Sequence, residues 1–145
     1  MRIGFIGLGT MGGAASLNLI KGGHELTVCD LDRNRGKAHL ELGAQWADTP
    51  ALAAAGADVI FTMVFGPKQI ESVLRSENGL LSAIQPGQVW IDMTTNEPTL
   101  SRALAAEIHA KGAIAIDAPV TGAVDGARNG NMTQFAGGDE ATIEH

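Results

Sequence analysis

Three glycines near the amino terminus have the spacing of a phosphate-binding loop. They follow a short apolar run and precede a segment with helical periodicity. In such a loop the first glycine permits a tight turn, the second lets the backbone approach a diphosphate, and the third lets helix and strand pack closely. The helix then directs its unpaired N–H groups and the positive end of its dipole at the phosphates. The residues predicted to bind a dinucleotide here are Gly7, Leu8, Gly9, Thr10, Met11 and Gly12.

A carboxylate follows at the distance that a dinucleotide site requires. Asp30 ends the second apolar run, close to the spacing of roughly 20 residues at which such sites place an acid for the ribose hydroxyls of adenosine. An aspartate favours NAD, because its charge repels the extra phosphate of NADP. Arg33 could instead pair with that phosphate, so NADP is the alternative cofactor. The interpretation of Asp30 and the glycines as ordinary turn residues is disfavoured, because loop, strand, helix and acid occur together.

The remaining residue types with chemical potential form no cluster in the sequence. The histidines have no metal-ligand spacing, so no metal site is expected, and they are interpreted as surface or strand-flanking residues: His24, His39, His109 and His145. Cys29 has no second cysteine to pair with and is predicted to be a small core side chain. Met11 is predicted to pack against the cofactor, with a core contact as the alternative.

The elements that must position these residues alternate along the chain. Short apolar runs that end at Gly or Asp alternate with longer segments of helical spacing, which predicts βαβ units and a parallel sheet. Strands are predicted at 2–6, 25–29, 59–63, 88–92 and 113–117, and helices at 10–21, 33–42, 51–55, 67–74 and 98–111. Thr49 is predicted to cap the third helix, with Pro50 in its first turn. Trp46 and Trp90 are predicted to be buried or half-buried.

The composition limits the chain to one domain and a small-molecule partner. A chain of 145 residues with 45% hydrophobic content is long enough for one compact core. The net charge of -6 offers no basic surface to nucleic acid or to an anionic membrane. The single cysteine and the absence of a signal peptide favour a cytoplasmic location. We expect a dinucleotide-binding Rossmann domain over residues 1–138 and a new helix over 139–145, capped by Asp139.

Five segments together resemble the β-hydroxyacid dehydrogenase family, which includes enzymes of the 3-hydroxyisobutyrate dehydrogenase and tartronate semialdehyde reductase types. The segments are GFIGLGTMG at 4–12, MVFGP at 63–67, DMTTNEP at 92–98, DAPVTGA at 117–123 and GNMTQFAGG at 130–138. The resemblance implies a doubly wound, mostly parallel sheet with helices on both faces, closed by an extra strand near Thr133 and Ala136. It also implies that residues 139–145 begin a truncated interdomain helix, whose all-helical substrate and dimerisation domain is absent.

The resemblance assigns roles to residues at the carboxyl ends of two strands. Val64 and Phe65 are implied to line the cofactor crevice, although the family usually has Leu-Pro there. Thr95 is implied to direct its hydroxyl at the nicotinamide, with Thr94 as the alternative. Both threonines would otherwise serve as caps for the helix that begins at Pro98.

A further segment is implied to hold the substrate. Thr121, Gly122 and Ala123 match the segment that binds the substrate carboxylate in the family, where Ser-Gly-Gly is the commoner sequence. A hydroxyl and exposed backbone amides suit an oxyanion, and Ala123 narrows the site. From the residues alone, this stretch is predicted to be a turn.

The resemblance implies an NAD(P)-dependent dehydrogenase that transfers a hydride between nicotinamide and a small 3-hydroxy acid or its semialdehyde. The family's general acid or base is a lysine beyond residue 145, so no catalytic residue is assigned in this chain and the chain alone is expected to be inactive. The full-length protein is expected to be a homo-oligomer. Two alternatives remain: an imine reductase with an NADP-binding domain, and a stand-alone NAD(H)-binding regulatory module.

Overall fold

The computed structural model describes residues 1–144; His145, the fourth histidine and the end of the predicted last helix, lies outside the described residues. The strands are β1 (Arg2–Ile6), β2 (Glu25–Cys29), β3 (Gln45–Trp46), β4 (Val59–Thr62), β5 (Val89–Asp92), β6 (Ile114–Asp117), β7 (Val120–Thr121) and β8 (Thr133–Gln134). The α-helices are α1 (Thr10–Lys21), α2 (Lys37–Glu41), α3 (Pro50–Ala54), α4 (Pro67–Arg75), α5 (Pro98–Ala110), α6 (Ala123–Asn129) and α7 (Glu140–Glu144). Over residues 1–144 no helix has both the length and the apolarity needed to cross a membrane.

Within the described residues, six strands form one parallel sheet in the order β3-β2-β1-β4-β5-β6. The chain builds outward from β1 through β2 and β3, and then returns to the other side of β1 with β4. The loops after β1 and β4 therefore lead to opposite faces of the sheet and leave a crevice between them at its carboxyl edge. This is the doubly wound Rossmann topology that the sequence predicts.

Apolar side chains cover both faces of the sheet. One cluster, which includes Ile60, joins the strands to α3, α4 and α5, and the other, which includes Phe5, joins them to α1. Strands that are buried on both faces have continuous apolar sequences rather than alternating ones, which is why the strands could be recognised. The predicted core positions are confirmed: Cys29 and Trp90 are buried and Trp46 is half-buried.

The predicted boundaries match closely where the sequence pattern is strong. β1, β2 and α1 agree at both ends, and Thr49 accepts a hydrogen bond from the Leu52 amide as the predicted cap of α3. The predicted helix 33–42 divides into a 3-10 turn (Arg33–Gly36) and α2.

Three of these strands and α-helices were not predicted from the sequence: β3, β7 and α6. β3 has only two residues. α6 contains Gly126, a poor helix former, and is supported by packing on α1, where the Asn18 side chain donates to the Ala127 carbonyl at 2.7 Å.

The extra strand expected near residues 133–136 is present as β8, but it does not join the large sheet as a full strand. It pairs antiparallel with β7 in a separate two-stranded sheet. The segment that follows β8 is linked to the large sheet by one antiparallel bridge. In this bridge Asp117 and Gly137 exchange backbone hydrogen bonds of 2.8 and 2.9 Å. After this bridge, the Asp139 carboxylate accepts from the Thr142 amide at 2.9 Å, so the predicted cap of the last helix is confirmed.

The interpretation of His39 as a surface residue is wrong. His39 is only 2% exposed, and its Nε2 lies 2.7 Å from the Ser16 hydroxyl of α1. Ser16 donates its own proton to the Gly12 carbonyl at 2.7 Å, so His39 Nε2–H is the donor in this pair. Burial lowers the pKa of His39. The periodicity of so short a helix did not reveal which of its faces is buried.

We predict that His39 makes the fold less stable in acid. In the unfolded chain a histidine takes up a proton near pH 6.5, whereas the folded state holds His39 neutral to lower pH. The free energy of unfolding therefore decreases as the pH falls below about 6.5. In urea unfolding between pH 5 and 8, His39→Leu should be less stable by about 1 kcal/mol at pH 8, for the lost hydrogen bond. The difference from wild type should shrink towards pH 5.

The exposed His109 provides the matched control, because His109→Leu should leave the pH profile parallel to that of the wild type. A profile of His39→Leu that also runs parallel to the wild type would contradict the assignment.

Candidate dinucleotide-binding site

The glycine loop between β1 and α1 has three glycines with three different surroundings. Gly7 has a φ of 100°, and a Cβ there would overlap the Met63 carbonyl of the neighbouring strand end. A Cβ on Gly12 would overlap the Gly7 carbonyl. A Cβ on Gly9 would meet no atom within 4 Å. The first and third glycines are therefore required by the fold itself. The second faces open space, which lets the protein backbone approach a ligand.

The first turn of α1 faces the same open space. The helix begins at Thr10, with Gly9 at the N-cap position, and no side chain of residues 1–144 caps it. The first amide groups of a helix have no partner within the helix and carry its positive dipole end. The loop therefore has the donors and the room that a diphosphate requires, and the residues present fit the phosphates of a dinucleotide.

Asp30 lies at the end of β2, where its carboxylate holds two backbone segments. One oxygen accepts from the Leu8 amide at 2.7 Å and the other accepts from the Asp32 amide at 2.9 Å. The Arg35 guanidinium lies 3.6 Å from the second oxygen, and the Asp30 side chain is 7% exposed. Each carboxylate oxygen has a further lone pair, so the group can also accept from ribose hydroxyls. That ribose role stays a prediction.

Arg33 lies apart from Asp30. Its guanidinium is stacked 5.2 Å from the centre of the Trp46 ring and lies 3.4 Å from the Asp48 carboxylate. No role for Asp48 was predicted from the sequence, because its partners come from a separate strand and turn.

The opposite wall of the crevice consists of the segments after β4 and β5. Val64 follows β4, and its amide donates to the Thr94 hydroxyl at 3.2 Å. Thr94 is buried, whereas Thr95 and Phe65 are exposed at the same edge of the sheet. The placement leaves Thr95 and Phe65 accessible to a ligand, while Thr94 holds the two segments together.

The alternative role of the two threonines as helix caps is wrong. Glu97 occupies the N-cap position of α5, and no side chain caps this helix among the described residues.

A buried network beneath this wall was not predicted from the sequence. The Asp92 carboxylate accepts from the Thr62 hydroxyl at 2.8 Å and from the Thr94 amide at 3.0 Å. Trp90 Nε1 in turn donates to the Thr62 hydroxyl at 3.0 Å. Burial raises the pKa of Asp92 to about 6. The signal available in the sequence was the position of Asp92 at a strand end, the same as that of Asp30.

The segment implied to bind the substrate carboxylate forms the start of α6. Thr121, Gly122 and Ala123 are all exposed. Gly122 has a φ of 118° and Ala123 a φ of 51°, so both lie in the left-handed region. The predicted turn is therefore present, and a helix follows it. The substrate role of this segment stays a prediction.

Other features lie away from the crevice. The lysines are exposed in helices or at their ends: Lys21, Lys37, Lys68 and Lys111. Residues 1–144 contain no group of three or more His, Cys, Asp or Glu that could hold a metal ion. A groove of about 470 Å³ lies at the opposite, amino edge of the sheet and is lined by the first residues of β1 and β2. It includes none of the residues predicted to bind cofactor or substrate.

The comparisons with known proteins agree with this geometry. The family described as the NAD binding domain of 6-phosphogluconate dehydrogenase matches residues 2–145. The chain is 40% identical over 144 residues to the probable 3-hydroxyisobutyrate dehydrogenase-like 1, mitochondrial, of Arabidopsis thaliana, covering 99% of this chain and 43% of that protein. The chain thus spans less than half the length of this relative.

Solved structures have the same fold. The 3-hydroxyisobutyrate dehydrogenase of Mycobacterium tuberculosis, solved with L-serine, has a TM-score of 0.90 and 31% identity, covering 99% of this chain and 48% of that one. The reductive aminase of Aspergillus terreus, in complex with NADPH4, cyclohexanone and allyl amine, has a TM-score of 0.82 and 24% identity, covering 99% and 50% of the two chains. At that identity the second likeness shows the fold alone.

We predict that Gly9→Ala and Gly12→Ala act differently. Gly9 has φ and ψ values of -64° and -173°, which alanine adopts readily, so its free energy of unfolding should change by about 1 kcal/mol or less. The added methyl should raise the Kd for NADH at least about tenfold, because it fills the space for the diphosphate. Gly12→Ala should destabilise the fold by about 1–3 kcal/mol. NADH fluorescence titration and urea unfolding measure the two effects. Unchanged NADH binding by a folded Gly9→Ala protein would refute the loop assignment.

A second prediction concerns the charge on Asp92. A carboxyl whose pKa is raised in the folded state stabilises the fold below its unfolded pKa, near 3.8, and loses this stabilisation as the pH rises through about 6. Asp92→Asn can keep both accepted hydrogen bonds without a buried charge. At pH 7 the variant should be more stable by about 1–3 kcal/mol, and the gain should vanish towards pH 4.

Urea unfolding at several pH values tests this prediction, with the exposed Asp125→Asn as a neutral control. A stability difference that does not vary with pH would show that Asp92 does not titrate in this range.

Proposed function

The chain belongs to the family of NAD-binding domains described for 6-phosphogluconate dehydrogenase, and from this premise we propose that it binds the cofactor of a 3-hydroxy acid dehydrogenase. The proposed reaction transfers a hydride between nicotinamide and a small 3-hydroxy acid or its semialdehyde. The observation that carries the proposal is the open space at Gly9, beside the uncapped start of α1. Relatives named as 3-hydroxyisobutyrate dehydrogenases support the choice of substrate class.

The crevice provides a place for each part of a dinucleotide. The Leu8 amide already donates to Asp30, so we propose that the amides of residues 9–12 bind the diphosphate and that Asp30 accepts the adenosine ribose hydroxyls. Val64, Phe65 and the Thr95 hydroxyl are proposed to contact the nicotinamide half, since they follow β4 and β5 on the other side of β1. The bound nicotinamide supplies the hydride chemistry, and the protein contributes position and electrostatics.

The substrate is proposed to lie beyond the nicotinamide, against the start of α6. Thr121 offers a hydroxyl, and Gly122 and Ala123 offer exposed backbone, which suits a carboxylate. The methyl of Ala123 limits the size of the group that can approach. The general acid or base is proposed to be a lysine outside residues 1–145, as the family resemblance implies, with residues 1–138 forming the dinucleotide-binding domain.

An imine reductase is the alternative enzyme, because this chain has the same fold as half of a reductive aminase. Because that likeness concerns the fold alone, it does not favour imine over hydroxy acid. The stand-alone regulatory module is likewise favoured by no contact in the described residues.

We also propose a cytoplasmic location and a homo-oligomeric full-length protein. The lone Cys29 is buried, and burial raises the pKa of its thiol to about 11. The thiol is therefore unreactive and forms no disulfide within the chain, which suits a protein of a reducing compartment. The Arabidopsis relative is named as mitochondrial, and that location belongs to that protein.

We predict that the 145-residue protein binds NADH with a Kd that Asp30 controls. Asp30→Ala removes both the proposed ribose acceptor and the contact that fixes the Leu8 amide, so NADH binding should weaken at least about tenfold. Asp58→Ala, which removes an exposed carboxylate paired with Arg2 at the amino edge, should bind NADH as the wild type does. Fluorescence titration gives both constants. A folded wild-type protein that binds neither NADH nor NADPH would overturn the proposed function.

The same preparation separates binding from turnover. Incubation with NAD and 3-hydroxyisobutyrate should produce no NADH, because the proposed proton donor and acceptor lies outside the chain. Hydroxy acid oxidation by the purified chain would place that group within residues 1–145 instead.

A further inference from the structure

Three side chains form a closed cluster at the outer end of the cofactor crevice. Asp48 follows β3 and its Oδ1 accepts from Trp46 Nε1 at 2.7 Å. The same oxygen lies 3.4 Å from the Arg33 guanidinium, which also stacks on the Trp46 ring at 5.2 Å. One carboxylate oxygen therefore anchors both the ring and the cation that lies on it.

The cluster lies beside the proposed ribose acceptor. β2 and β3 are parallel and pair Val28 with Trp46, so Asp30 and Asp48, each two residues further on, leave the same edge of adjacent strands. Arg33 belongs to the turn that follows Asp30. A phosphate on the 2′-oxygen of the adenosine ribose would therefore come close to both carboxylates.

The two guanidinium groups beside Asp30 and Asp48 already have carboxylate partners. Arg33 is paired with Asp48, and Arg35 lies 3.6 Å from Asp30. NADP carries an additional dianionic phosphate, which needs an unmatched guanidinium for bidentate binding. An exposed ion pair contributes little to stability, but its carboxylate still repels a nearby phosphate and competes for the cation.

We propose that Asp48 determines nucleotide specificity: it holds Arg33 on Trp46, away from the ribose, and thereby favours NAD(H) over NADP(H). The inference rests on the proposed dinucleotide site. Asp48 acts through Arg33 and is therefore a positioning residue. Once the carboxylate is removed, the exposed Arg33 side chain can turn to a 2′-phosphate.

Asp48→Asn tests the proposal with the smallest change, since the amide oxygen can still accept from Trp46 Nε1. The Kd for NADPH should fall about tenfold, while the Kd for NADH should stay within about twofold of the wild type. The gain should diminish at high salt, because it is electrostatic at an exposed site. The matched control is Asp58→Asn, which frees Arg2 at the amino edge and should change neither constant.

The double variant Arg33→Ala with Asp48→Asn identifies the route. If Arg33 binds the released phosphate, the double variant should lose the NADPH gain of Asp48→Asn while it keeps NADH binding. Retention of the full gain in the double variant would overturn the role of Arg33. Thermal unfolding of each variant ensures that only folded proteins are compared.

The outcomes separate this inference from the proposed function. If the wild type binds neither nucleotide, the proposed function fails. If the wild type binds NADH and the ratio of NADPH to NADH affinity is unchanged in Asp48→Asn, only the specificity inference fails. A wild type that prefers NADPH overturns the inference and leaves the dinucleotide site intact.

Discussion

The hydrogen bond from the Leu8 amide to the Asp30 carboxylate joins the two parts of the candidate site. Leu8 is buried at 4% exposure, so its amide would be unsatisfied without this acceptor, and a buried unpaired donor is costly. The same carboxylate accepts from the Asp32 amide. The end of β2 is thereby fixed to the glycine loop before any ligand binds. The proposed ribose acceptor is therefore also the residue that shapes the loop.

The wall of the crevice that follows β4 and β5 is also fixed by a carboxylate that accepts hydrogen bonds. This carboxylate, Asp92, is buried more deeply than Asp30. Asp92 ties β4 to β5 through Thr62 and the Thr94 amide, and Thr94 in turn holds the Val64 amide. Asp92 is almost fully buried, so its surroundings favour the protonated form and raise its pKa to about 6. Asp30 has backbone amides and a nearby guanidinium instead. The Asp30 carboxylate can therefore contact a ligand, whereas the Asp92 carboxylate only supports the wall of the crevice.

The sequence was sufficient wherever one local pattern determined the structure. The strand ends at Ile6 and Cys29 follow from continuous apolar runs closed by Gly or Asp, and the topology follows from their alternation with helices. Prediction from the sequence failed where tertiary contacts determine the structure. His39 lies in a short helix whose orientation depends on Ser16 of α1, and α6 forms because it packs on α1 despite Gly126. The role proposed for Asp48 depends on β3, a two-residue strand that becomes visible only in its pairing with β2.

The start of α6 shows how a local cost and a proposed function coincide. Ala123 has a φ of 51°, a conformation that costs an L-residue roughly 1–2 kcal/mol and that glycine adopts freely. A glycine at this position, as in the family's commoner sequence, would avoid the cost, so the local backbone energy does not explain the alanine. The conformation persists because α6 is held on α1 by the Asn18 contact with the Ala127 carbonyl. What the alanine adds is a methyl at the proposed substrate site. Strain of this kind concentrates at functional positions, which agrees with the substrate role proposed for this segment.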